Sequence, residues 1–316
     1  FSTNQLANGI LQKDFDELLL SEEKPFFNRA LRGRYPPASS IKPAIAMYGI
    51  EEGLIDWNFS IFDEGFFTLP EDGRIYRDWK EGGHGDTNLF KAITQSSNTY
   101  FFDLAYRSDI NQLNKHLSSL GFGGKACIDC FEEDKVFVPE PSWKMNKHNF
   151  GWFKGDTVNM GVGQGYLVST PIQLAKYAYI MANKGKFSDL SLKKDLVKSE
   201  KSIEFNKFSN DDWFKLHESM VNVIEGNTGT ARRLRERKNY IVAAKTGTAE
   251  LVSGDNREQY SETRLDDSLR DHALIIAFGP MPNPRYAVSV VVENGESGGS
   301  VAGPVAISVL NSLIQE

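Results

Sequence analysis

Two apolar runs near the end of the chain, 273–278 and 286–292, flank the turn Gly279-Pro280-Met281-Pro282-Asn283-Pro284. Both runs are rich in β-branched residues, and a turn with three prolines cannot continue a helix, so the pair reads as an antiparallel hairpin. Helices are announced elsewhere. Thr170-Pro171-Ile172-Gln173 combines a capping box with proline at the first helical position. Leu174, Tyr177, Ala178 and Met181 then share one face and Gly185 supplies a stop, which predicts a helix over about 170–184. A second helix is predicted from Asn210 to Ile224, before Gly226. A third opens at Pro304 and places Val305, Val309, Leu310 and Leu313 on one face. Hairpin-linked strands beside long separate helices predict an α+β fold, not a doubly wound parallel one.

The 316 residues suffice to bury a core without staples, and 40% apolar with 25% charged residues excludes a disordered chain. A net charge of −6 leaves no basic excess to neutralise phosphates, so nucleic acid is not an expected partner. No repeat, low-complexity tract or linker divides the sequence, which reads as one domain over 1–316. There is no Met start or signal peptide, so it reads as a mature piece or a fragment. Cys127 and Cys130 form C-x-x-C. No thioredoxin-like βαβ unit and no second ligand pair accompany them, so the expectation is two packed or exposed thiols in a loop.

The chemistry starts at Tyr35-Pro36-Pro37-Ala38-Ser39-Ser40-Ile41-Lys42-Pro43. Ser39 and Lys42 stand at i and i+3, on one helix face. Pro43 fits only within the first turn, so Ser39 is expected at a helix N-terminus, where free N–H groups and the macrodipole favour developing negative charge. A serine hydroxyl needs a proton acceptor, and a lysine serves if burial or nearby cations depress its pKa. Alone, S-x-x-K is common. Ser96-Ser97-Asn98 (S-x-N) and Lys245-Thr246-Gly247 (K-T-G) follow in order, 57 residues and then 149 residues further on, and that ordered coincidence is not common.

This is the motif set of penicillin-binding proteins and class A β-lactamases. Acyl transfer needs a nucleophile, a base, a proton relay and an oxyanion hole. Ser39 would attack, Lys42 would accept its proton, Ser96 would relay it to the leaving amine, and Lys245 would keep the network electropositive. Asn98 can hydrogen-bond both Lys42 and a substrate amide. Gly247 would let a substrate backbone lie along the strand, Thr246 and Thr248 offer hydroxyls to its carboxylate, and the N–H groups of Ser39 and Thr248 are the expected oxyanion donors.

Beyond the triplets, the chain resembles the penicillin-binding protein 2 branch of the class B transpeptidases, the elongation-specific peptidoglycan D,D-transpeptidases of Gram-negative bacteria. The resemblance rests on Asn28-Arg29-Ala30, Tyr76-Arg77-Asp78-Trp79-Lys80, Gly83-His84-Gly85, Gly161-Val162-Gly163-Gln164-Gly165-Tyr166 and Asp271-His272-Ala273. It implies an antiparallel five-stranded sheet between helices. It also implies stem peptides ending in D-Ala-D-Ala as acyl donors, the side-chain amine of a diamino acid as acceptor, and covalent inhibition by β-lactams at Ser39. By the same resemblance, the domain sits in the periplasm behind an inner-membrane helix and a pedestal outside this chain. Its implied partners are a RodA-type glycan polymerase and scaffold proteins, and no cofactor is required. Some members of the branch hold a structural zinc with two aspartates, a histidine and a cysteine. Asp63, Asp78 and His84 match three of these, while Ser97 stands where the cysteine belongs. A weak or empty site is therefore expected.

Two other functions share the scaffold. A serine β-lactamase of class A uses a loop glutamate with an asparagine four residues later. Glu140 and Asn146 are six apart, and Glu218 and Asn222, correctly spaced, fall inside a predicted helix. A non-catalytic sensor would keep acylation alone as its signal. Of the remaining features, Gly163-Gln164-Gly165 lacks the rest of a phosphate-binding fingerprint and reads as a structural turn. His272 reads as a hydrogen-bonded strand-entry residue, and Phe62, Phe66, Phe67, Tyr76 and Trp79 as a loop core.

Overall fold

A computed structural model of the protein describes residues 3–194, 196, 199–251 and 269–315. Ser60–Asp63 (β1), Phe66–Thr68 (β2), Ile75–Arg77 (β3) and Gly85–Asn88 (β4) form two small antiparallel ladders, β1 with β4 and β2 with β3. Ala243–Ala249 (β5), His272–Gly279 (β6) and Tyr286–Val292 (β7) form the central sheet in that order, antiparallel throughout. The expected hairpin is β6–β7, with Phe278 opposite Ala287 at the turn end. Among the described residues this sheet has three strands, where the resemblance implied five. Among the described residues, those before Ser39 form helices, turns and a single bridge from Tyr35 to Ser169, and add no strand.

β6 shows why its sequence is apolar without alternation. Leu274, Ile276 and Phe278 face one core, while Ala273, Ile275 and Ala277 face a second, so the strand is buried on both sides. The first core packs Lys42–Glu51 (α1), Asn98–Arg107, Pro171–Ala182 and most of Asn210–Glu225. The second packs Gly303–Gln315 and the end of Asn210–Glu225. In chain order after α1 the labels are Leu89–Gln95 (α2), Asn98–Arg107 (α3), Pro171–Ala182 (α4), Asn210–Glu225 (α5) and Gly303–Gln315 (α6). α1 is buried on all sides from Lys42 to Ile50, as befits a helix apolar all round.

α4 forms as expected. Thr170 accepts from the Gln173 N–H at 3.3 Å and Gln173 Oε1 accepts from the Thr170 N–H at 3.2 Å. Leu174, Tyr177, Ala178 and Met181 are all buried, each large side chain contributing about 1.5–3 kcal/mol of transfer free energy. α5 starts at Asn210 under a Ser209 cap. α6 corrects the expected face: Ala306, Ile307 and Leu310 are buried, whereas Val305 and Val309 are exposed. Alanines on both α6 and β6 let helix and sheet approach closely, so small residues rather than valines mark the buried side.

The expected loop core is also only partly formed. Phe67 and Tyr76 pack on the main core, but Phe62, Phe66 and Trp79 are exposed. His272 opens β6 and accepts from the Asn294 N–H at 3.0 Å, the strand-entry role expected of it. Cys127 and Cys130 are not free thiols: they form a disulfide with Cα atoms 5.4 Å apart. The Glu133 carboxylate accepts from the N–H groups of Ala126 and Cys127 at 2.6 and 2.9 Å, which curls the segment and brings the two cysteines together.

Candidate active site

Ser39 lies in a short 3-10 turn, Ala38–Ile41, that feeds α1, rather than in the first turn of an α-helix. Pro43 then occupies the first turn of α1, as its missing N–H requires. Ala38 has φ 49° and its N–H donates to the Gly163 carbonyl at 2.8 Å. Gly163 has φ +71°, and a Cβ there would lie 2.2 Å from the Ala38 oxygen. The Gly163-Gln164-Gly165 turn is thus a clamp on the serine turn, a role its sequence did not disclose. Gln164 Nε2 also donates to the Thr248 carbonyl at 3.2 Å. Gly247 of β5 lies against the same turn, with its absent Cβ 3.2 Å from Pro37 O and 3.3 Å from Ser40 N. Close packing on the serine turn is the reason for glycine that the geometry supplies.

Lys42, Ser96, Asn98 and Lys245 come together, with Lys42 three residues after Ser39. Lys42 Nζ donates to Asn98 Oδ1 at 2.6 Å and to the Ser96 carbonyl at 2.9 Å, with Ser96 Oγ at 3.4 Å. Lys245 Nζ donates to Ser96 Oγ at 2.8 Å and to the Thr246 carbonyl at 3.0 Å. Both ammonium groups are fully buried, and no ion pair to either occurs among the described residues. Burial pulls Lys42 down to about 7, against the charges of Asp78 and Asp63, which favour its protonated form. Burial first, and then the Lys42 charge, holds Lys245 well below the usual lysine range. Ser96 takes its place by adopting the left-handed conformation, φ 61°, between α2 and α3. Thr246 Oγ1 lies 2.7 Å from Thr230 Oγ1. β5 is the edge of the central sheet among the described residues, with Thr246 and Gly247 buried there and Thr248 half-buried.

Residues 3–311 match the penicillin binding protein transpeptidase domain family. The chain belongs to that family. It is 36% identical to peptidoglycan D,D-transpeptidase MrdA of Haemophilus influenzae over 100% of this chain and 50% of the relative. The Acinetobacter baumannii enzyme of the same name is 39% identical over 96% of this chain and 46% of the relative. The chain therefore spans about half the length of the relatives it matches. The crystal structure of Pseudomonas aeruginosa PBP2 in complex with WCK 5153 superposes with TM-score 0.86 at 36% identity, covering 98% of this chain and 67% of that one. The complex between PBP2 and MreC from Helicobacter pylori gives 0.85 at 30% identity, covering 96% of this chain and 55% of that one.

The residues flagged for a metal do assemble: donor atoms of Asp63, Asp78 and His84 lie within 4.8 Å of one another, all buried. The fourth group is the Ser97 hydroxyl, which donates to Asp63 Oδ2 at 2.7 Å and accepts from the Tyr100 N–H at 3.2 Å. Asp78 Oδ2 accepts from the N–H groups of Asn98 and Thr99 at 2.6 and 3.0 Å. Asp78 Oδ1 accepts from the Lys80 N–H at 3.1 Å and faces His84 Nε2 at 3.3 Å. Burial pushes the Asp78 carboxyl up, but the His84 contact, the Lys42 charge and these N–H groups outweigh it and hold it below the usual carboxylate range. A neutral, already committed hydroxyl in place of a thiolate does not fit a closed four-donor zinc centre.

Among the described residues, the hydrogen bonds of the residues weighed for a class A deacylation base are local ones. Asn222 donates to the Glu218 carbonyl within α5 at 2.9 Å, and Glu140 accepts from Ser142 Oγ at the start of the 141–148 helix. Sequence reasoning missed Trp79, whose indole N–H donates to the Ser96 carbonyl at 3.1 Å. Only the D-W pair after β3 hinted at it.

Proposed function

We propose that this chain is the acyl-transfer unit of a peptidoglycan D,D-transpeptidase, with Ser39 as nucleophile. The observation that carries the reading is Lys42: three residues after Ser39, fully buried, held only by neutral acceptors and titrating near neutrality. A neutral Lys42 accepts the Ser39 proton as Oγ bonds to the carbonyl carbon of the penultimate D-Ala. The carbonyl electron pair moves onto oxygen, toward the N–H groups of Ser39 and Thr248. Ser96 Oγ lies between the two lysines and relays the proton to the departing amine of the terminal D-Ala as the C–N bond breaks. The amine of a second stem peptide then attacks the ester, its proton returns through the same relay, and Ser39 leaves as the free hydroxyl. Each step balances without metal or cofactor.

Thr246, Gly247 and Thr248 line the edge along which the donor peptide adds as a strand, its carboxylate meeting the threonine hydroxyls. The MreC complex of the Helicobacter pylori relative supports a protein partner of that kind; a place beside a glycan polymerase in the periplasm is part of the same proposal and rests on the resemblance. No helix among the described residues is long and apolar enough to cross a membrane. Incubation with a labelled penicillin, followed by intact mass and peptide mapping, tests the reading. One long-lived adduct on Ser39 is expected. Rapid release with turnover would instead identify a β-lactamase, and the absence of any adduct would remove Ser39 as nucleophile.

A further inference from the structure

We propose that Asp63, Asp78, Trp79 and Ser97 form a metal-free brace that positions the Ser96-Ser97-Asn98 turn against Lys42. The inference rests on the reading of Ser39 and Lys42 above and extends it to residues outside the three motifs. The turn is gripped at each of its three residues. Trp79 donates to the Ser96 carbonyl, Ser97 donates to Asp63, and the Asn98 N–H donates to Asp78. One of these contacts, from Trp79, is made to the Ser96 carbonyl that holds Lys42, and another fixes the backbone of Asn98, whose Oδ1 is the other close acceptor of Lys42.

The turn needs such a grip. Ser96 is a non-glycine residue in the left-handed region, a strained conformation that persists only where the surroundings over-determine it. The gripping loop is itself fastened down. Gly83 has φ +71° and a Cβ there would lie 2.2 Å from Asp63 O, so the 78–84 segment folds directly onto β1. The negative charge of Asp78 is met by N–H groups at the start of α3, where the helix dipole favours an anion. The Ser97 hydroxyl, at the position where the resemblance implies a thiolate, donates to Asp63 instead. These four are positioning residues: none is argued to touch substrate.

The test uses protein purified without chelator. Elemental analysis should find well under one zinc per chain, and a strong chelator should leave both the thermal midpoint and the penicillin acylation rate unchanged. One zinc per chain together with a chelator-induced fall in midpoint would overturn the metal-free brace. Ser97→Ala should slow acylation about 10- to 100-fold, the scale seen when groups supporting a site's ligands are lost, with non-covalent penicillin affinity unchanged. An unchanged acylation rate in folded Ser97→Ala overturns the positioning role. Should that variant not fold, Trp79→Phe removes a donor from an exposed ring, and its acylation should slow several-fold at an unaltered thermal midpoint. Zinc content and chelator response are readable even if penicillin never acylates Ser39, so failure of the functional reading is distinguishable from failure of the brace.

Discussion

Two buried polar clusters meet back to back at the Ser96-Ser97-Asn98 turn, and they handle charge in opposite ways. On one side, Lys42 and Lys245 are surrounded by carbonyl, amide and hydroxyl oxygens, with no carboxylate in contact among the described residues. Burial therefore pulls both ammonium groups toward the neutral form. On the other side, the carboxylate of Asp78 receives backbone N–H groups and faces His84, so its charge is held in place. The comparison teaches where reactivity resides. A buried charge left without a counter-charge becomes an acid or base near neutral pH, while a buried charge fully met by donors becomes scaffold.

The largest expected effect breaks the reactive side outright. Ser39→Ala should form no covalent penicillin adduct by intact mass, because neighbouring Ser40 turns its hydroxyl to Pro37 O at 2.6 Å and is buried there. An adduct in that variant would move the nucleophile elsewhere. Next, Lys42→Met should lower the acylation rate about 10²- to 10⁴-fold, the scale of general-base catalysis. Its thermal midpoint should stay the same or rise, since an apolar side chain of similar length replaces a buried cation without a carboxylate partner. A fall in midpoint with near-normal acylation would reverse the two roles assigned to Lys42.

The inert side can be sharpened by giving it the donor it lacks. Ser97→Cys should raise zinc content toward one per chain and make the thermal midpoint chelator-sensitive, because Asp63, Asp78 and His84 already converge. No added zinc in that variant would show that the three carry no latent metal geometry. The smallest effect lies outside both clusters. Opening the Cys127–Cys130 disulfide by double serine substitution frees a very short loop, so the loss of stability should be at most about 2 kcal/mol, with acylation unchanged. A slowed acylation step would tie that loop to the site.

Much of this was legible from residues whose physics is local. The capping box at Thr170 and the proline-rich turn after Phe278 act within a few residues, and both elements appear where expected. The three motifs were legible because their order constrains distant segments jointly. What depended on long-range packing was not. The buried face of α6 is set by alanines that matter only opposite a sheet. The disulfide depends on Glu133 curling its segment, and Ser39 sits in a 3-10 turn because Gly163 closes on Ala38 from more than a hundred residues away. Trp79 and Asp78 escaped assignment to the serine cluster for the same reason, since neither belongs to a motif that predicts a hydrogen bond to Ser96 or Asn98.

The most direct measurement is the rate of Ser39 acylation by penicillin as a function of pH. Lys42 must be neutral to accept the serine proton, and its pKa lies at about 7 in the folded chain, below the ordinary lysine value of 10.5. The protonated fraction grows as pH falls, so the rate should drop about tenfold per pH unit below about 7 and level off above it. A rate that is flat between about pH 5 and about pH 9, or that rises toward acid, would contradict a neutral Lys42 as the base.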